Sequence, residues 1–106
     1  GNDYVAVAPN GNIYPCHQFD GEKDYVIGNV LDGTFNTEIP KFFAENNLLK
    51  KDKCRNCWAK YYCSGGCAAN AIKYGGGINK PYGLSCELMR KRIECAIAVN
   101  CVENSK

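Results

Sequence analysis

Four of the eight cysteines stand within fourteen residues, in the run Cys54-Arg55-Asn56-Cys57-Trp58-Ala59-Lys60-Tyr61-Tyr62-Cys63-Ser64-Gly65-Gly66-Cys67, and Cys86 follows after eighteen more residues. A C-x2-C turn lets two thiolates converge on one centre, and further cysteines returning from nearby turns can complete a four-sulfur metal site. The competing chemistry is a disulfide framework, since an even cysteine count in a short chain is also the mark of a small secreted scaffold. Three features weigh against it: no apolar, signal-like segment opens the sequence, the cysteines crowd into one stretch, and two cysteines only two residues apart gain little from bonding each other.

The elements that would position these thiols are short. Tyr4-Val5-Ala6-Val7-Ala8 favours strand, Pro9-Asn10-Gly11-Asn12 is turn chemistry, and Ile13-Tyr14 resumes the strand, so a hairpin is expected to deliver Cys16 at its exit. Tyr25 to Val30 reads as a further strand, closed by a Leu31-Asp32-Gly33 turn. Thr37 to Asn47 has Pro40 near a helix start and Asn near its end, with Phe42 and Phe43 as expected core residues and Leu48-Leu49 beneath them. The cysteine-rich run is too irregular for one helix and is expected to be a ligand loop. Ala68 to Tyr74 then forms a short helix ended by Gly75-Gly76-Gly77.

A last helix is expected from Glu87 to about Asn100, capped by Ser85. It carries two apolar stripes: Met89, Ile93, Ala96, Ile97 and Cys101 on one side, and Leu88, Cys95, Val99 and Val102 nearly opposite. Either a partner covers the second stripe or the helix is fully buried. Together these elements define a small α+β class: an N-terminal β-hairpin, cysteine-rich ligand loops with short helices, and a C-terminal helix.

At 106 residues a single domain over residues 1–106 is expected, with a core small enough that a metal would reinforce it. A formal charge of +2 with scattered lysines and arginines offers no nucleic-acid face, Arg90-Lys91-Arg92 being a solvated cluster. No run of eighteen apolar residues argues for a membrane span, and the expected location is cytoplasmic, where thiols stay reduced.

The arrangement Gly11-x4-Cys16, Cys54-x2-Cys57-x5-Cys63-x3-Cys67 and Cys86 resembles the SPASM domain of radical S-adenosylmethionine enzymes. The flanking text, Ile13 to Phe19 and Cys86 to Arg92, is most similar to maturases of six-cysteine peptides, and the chain otherwise resembles anaerobic sulfatase-maturating enzymes. The resemblance implies a module C-terminal to a radical S-adenosylmethionine barrel of the same parent chain, binding auxiliary [4Fe-4S] clusters and acting on a peptide or protein substrate. It assigns Cys54, Cys57, Cys63 and Cys86 to the second auxiliary cluster and Cys16 and Cys67 to the first. The remaining ligands of that first cluster would lie upstream of Gly11, so the sequence resembles a C-terminal piece cut inside that site.

No three cysteines have the C-x3-C-x2-C spacing that holds the radical cluster, so catalytic residues and S-adenosylmethionine itself are expected only in the full-length parent. Trp58, Tyr61 and Tyr62 are expected either as a dry shell around the sulfurs or as ordinary core. Cys95 is expected as a small buried hydrophobe, Cys101 lies outside the ligand pattern, and His17 is either a donor to a cluster sulfur or a polar residue at the hairpin exit. The alternative from a different class is an interaction module in which Cys54, Cys57, Cys63 and Cys86 hold one structural Zn2+, or a single iron, and the role is docking.

Overall fold

The computed structural model describes residues 3–105. The chain divides into two compact units, Gly1–Asn46 and Asn47–Lys106.

The first unit is built on a four-stranded antiparallel sheet in the order β1 (Ala6–Val7), β2 (Asn12–Tyr14), β3 (Gly28–Asn29) and β4 (Thr34–Phe35). The expected hairpin is present, with Ala6 opposite Tyr14 and Val7 opposite Ile13. Its turn closes through Gly11 N–H to the Ala8 carbonyl at 2.9 Å, and Gly11 takes φ +89°, a conformation in which a side chain would be strained. Asn29 then fastens β3 to that turn: its side-chain amide donates to Asn12 Oδ1 at 2.9 Å and to the Asn10 carbonyl at 3.2 Å.

The expected strand over 25–30 is only partly a strand. Lys23–Tyr25 forms a 3-10 turn, and pairing begins at Gly28. The sequence reading missed β4, which is two exposed residues long and is set by Asp32, whose carboxylate accepts from Thr34 N–H and its hydroxyl at 2.9 and 2.7 Å. Helix α1 (Glu38–Ala44) is shorter than expected, and Asn36 Oδ1 rather than Thr37 receives its first free N–H, that of Glu38. Of the two phenylalanines expected in the core, Phe43 is buried and Phe42 is 43% exposed. Adjacent helical positions point about 100° apart, so only one can face the sheet side. Phe43 meets Phe19 edge-on at 5.5 Å and Tyr25 at 6.1 Å, with Tyr14 and Ile27 also buried in this unit.

The second unit holds two one-turn helices, α2 (Asp52–Arg55) and α3 (Lys60–Cys63), then α4 (Ala68–Asn70), which widens into a π-turn over Ala71–Gly75, and α5 (Gly83–Asn104). A 3-10 turn, Leu48–Lys50, leads into α2; Leu49 is 56% exposed instead of packed. The π-turn ends at Gly76 with φ +99°, as the glycine run implied.

Helix α5 starts four residues ahead of expectation, so Ser85 is inside it and Tyr82 occupies the cap. Of its two stripes only Ile93 is buried; Leu88, Val99 and Val102 are all exposed, and so is Ile97 on the opposite side. Cys95, expected to be buried, is exposed as well. No helix among the described residues is long and apolar enough to cross a membrane.

The aromatic cluster gives a direct test. Phe43→Ala should destabilise the chain by about 3–5 kcal/mol in urea denaturation, while Phe42→Ala should cost under about 1 kcal/mol. Equal costs would mean that both rings are core.

Candidate metal centre

The five cysteines at 54, 57, 63, 67 and 86 line one cavity in the second unit, of about 430 Å³. That volume lies in the range of small-ligand pockets, roughly 300–1,000 Å³, and exceeds what a single ion fills. Of the candidate ligands, Cys16 belongs to the first unit, at the exit of β2, where its carbonyl accepts from Phe19 N–H at 3.1 Å.

Short turns place the cysteines. The Cys54 carbonyl accepts from Cys57 N–H at 3.1 Å, which closes the C-x2-C turn, and the Cys57 carbonyl accepts from Lys60 N–H at 3.2 Å, which starts α3. Cys63 N–H returns to the Ala59 carbonyl at 2.9 Å. The chain then reverses through Ser64, Gly65 and Gly66 at φ 60°, 90° and 79°, and Cys67 emerges as the residue before α4. Three successive left-handed residues are what brings the sulfur of Cys67 back to the same cavity as Cys63, and a Ser-Gly-Gly sequence is suited to them.

Cys86 comes from a regular element instead. It lies in the first turn of α5, with its N–H on the Tyr82 carbonyl at 3.1 Å, at the helix end that carries partial positive charge.

Cys54 is the buried member, at 7% exposure, and its surroundings tie the set together. Burial pushes its thiol above the ordinary value of 9.0, Lys51 draws it back, and Cys86, Cys63 and Cys57 each push it up again. All three neighbouring cysteines therefore lie close enough to Cys54 to act on it electrostatically. Among the described residues no three His, Cys, Asp or Glu side chains form a group able to hold one metal ion.

All eight cysteines are free thiols. Trp58, Tyr61 and Tyr62 are 54%, 76% and 76% exposed and do not line the cavity, so they form neither a dry shell nor a core. Adjacent one-turn helices put the cysteines inward and leave these rings outward. Instead the cavity wall takes residues that sequence reasoning passed over, among them Lys53, Asn70, Met89 and Arg90. Lys51 was also missed: it is 1% exposed, and its Nζ donates to the Gly65 carbonyl at 3.0 Å. A lysine in a lysine-rich stretch carries no sequence signal of burial.

Comparison with known proteins points to an iron-sulfur-binding family. Residues 1–58 match the sequence model of SPASM, an iron-sulfur cluster-binding domain, a span that contains Cys16, Cys54 and Cys57. The chain is similar to a cysteine-type anaerobic sulfatase-maturating enzyme of Clostridium novyi (strain NT), at 32% identity over 68 residues, covering 60% of this chain and 18% of that protein. It is also similar to a PqqA peptide cyclase of Gluconobacter oxydans (strain 621H), at 29% identity over 106 residues, covering 94% of this chain and 29% of the cyclase. The chain thus spans less than a third of the length of either relative.

The raised Cys54 thiol predicts a sign for pH dependence. The metal-free folded chain holds the Cys54 proton more tightly than the unfolded chain, so this contribution to stability is present below about pH 9 and is lost as pH rises through the raised value. In urea titrations of the reduced, metal-free chain, wild type should lose stability relative to Cys54→Ser as pH climbs past about 9. A difference that is flat or grows with pH would contradict the burial of this thiol.

Proposed function

Because the chain belongs to the SPASM family of iron-sulfur cluster-binding domains, we propose that Cys54, Cys57, Cys63 and Cys86 hold one [4Fe-4S] cluster in a radical S-adenosylmethionine enzyme that modifies a peptide or protein. The observation that carries this reading is the shared cavity: four cysteines from α2, the C-x2-C turn, α3 and α5 line one space. A cavity of about 430 Å³ lined by these cysteines has room for a cluster, which is larger than a single ion. Bound there, the cluster would accept and pass on single electrons.

The chain's own residues do the rest. The short turns fix the ligands, Cys86 sets its donor at the positive end of α5, and Lys53, Lys60 and Arg90 offset thiolate charge around the cavity. Radical generation is assigned to a barrel elsewhere in the parent chain, which accords with relatives whose names describe sulfatase maturation and peptide cyclisation and of which this chain covers 18% and 29%. The chain is then an electron-handling and substrate-positioning module, working in a reducing, cytoplasmic compartment.

Anaerobic reconstitution with iron and sulfide tests the ligand set. Single Ser substitutions at Cys54, Cys57, Cys63 or Cys86 should lower retained iron, and the brown absorbance that accompanies it, at least about tenfold. Cys95→Ser and Cys101→Ser, both on the exposed part of α5, should leave them unchanged. Iron retained at wild-type level in two or more of the four ligand variants, or preferential uptake of a single zinc, would defeat the proposal.

A further inference from the structure

Resting on the cluster reading above, we propose that Lys51 is a fixed positive charge that sets the reduction potential of the centre held by Cys54, Cys57, Cys63 and Cys86. Lys51 is the one charged side chain buried among the described residues, at 1% exposure. Taking an ammonium out of water is costly unless an anion or a full set of acceptors meets it. The acceptor seen is the Gly65 carbonyl, 3.0 Å from Nζ, which answers one of the three donors an ammonium carries. No carboxylate pairs with Lys51 among the described residues.

What it lies against is the wall of the cysteine cavity. Lys51 is the residue before α2, one turn ahead of Cys54, and its carbonyl starts that helix by accepting from Arg55 N–H at 2.8 Å. Its side chain lies along Gly65, a residue of the cavity wall: a β-carbon there would stand 3.2 Å from Nζ and 3.6 Å from Cδ. Of the charges near Cys54, Lys51 is the one that opposes the neighbouring thiols. This buried ammonium, without a carboxylate partner, is therefore held through Gly65 against the cavity that would contain the centre.

A consequence for redox chemistry follows from charge alone. A positive charge beside the centre favours the state carrying one more electron and so raises its potential. Lys53 at the cavity is exposed and Lys60 and Arg90 are partly so, which leaves their charges screened by water and salt; the dry charge of Lys51 is screened far less.

The same residue also pins the Gly65 turn, so the test must separate charge from scaffolding. Its readout is the midpoint potential of the anaerobically reconstituted chain, followed by electron paramagnetic resonance, with iron content and circular dichroism measured alongside. In Lys51→Met, which keeps the stem, the ratio of reduced to oxidised centre at a fixed poise should fall about tenfold, a 59 mV shift for a one-electron couple. Lys51→Arg should stay within about threefold of wild type. Lys51→Gln, which keeps a donor for the Gly65 carbonyl without the charge, should follow Met and carries the comparison should Met not fold.

Wild-type potential in the folded Met or Gln variants, or an equal fall in Arg, overturns the role of Lys51 while leaving the cluster reading intact. A wild-type chain that takes up no cluster overturns both.

Discussion

The second unit has very little apolar material to bury, and its architecture depends on what replaces it. Its buried side chains are Ala59, Ala69, Ala71, Ile78 and Ile93, together with Cys54 and Lys51. Each isoleucine contributes about 1.5–3 kcal/mol and each alanine less. Structural Zn2+ in zinc-finger peptides, a measure of what thiolate–metal bonds can supply, contributes about 10–16 kcal/mol. The sulfur–metal bonds that Cys54, Cys57, Cys63 and Cys86 can make are thus the strongest interaction open to this unit, and the large side chains Tyr61, Tyr62, Tyr74 and Leu88 are left in solvent. Small buried alanines fit that scheme, because they let one-turn helices approach closely and hold sulfurs around a common space.

Electrostatics sets the second constraint. Burial, with the neighbouring thiols, raises the cost of ionising Cys54, and positive charge stands around the cavity: the first turn of α5, the wall residues Lys53, Lys60 and Arg90, and the buried Lys51. The Ser64-Gly65-Gly66 reversal serves both needs. It returns the chain so that Cys67 joins the cavity, and it presents the Gly65 carbonyl to Lys51.

Features fixed by short-range chemistry were legible in the sequence. The C-x2-C turn, the Pro9-Asn10-Gly11-Asn12 hairpin and the glycine stop after Tyr74 each depend on a few adjacent residues, and each was read correctly. Features fixed by packing were not. Phe42 and Phe43 are chemically identical, and only the facing of α1 buries one of them. Strand β4 depends on an Asp32 side chain that stabilises two exposed residues, a pattern with no hydrophobic alternation to announce it. The early start of α5 at Gly83, the exposure of Cys95 and the burial of Lys51 likewise come from tertiary contacts, or their lack. Such contacts override helix caps, residue polarity and the habits of lone cysteines alike.

The most direct measurement is anomalous diffraction at the iron edge from anaerobically grown crystals of the reconstituted chain. The account predicts four iron positions within the cavity of the second unit, each bonded to one sulfur of Cys54, Cys57, Cys63 and Cys86. A single metal peak ligated by all four sulfurs, or disulfides among these cysteines with no iron between them, would contradict it.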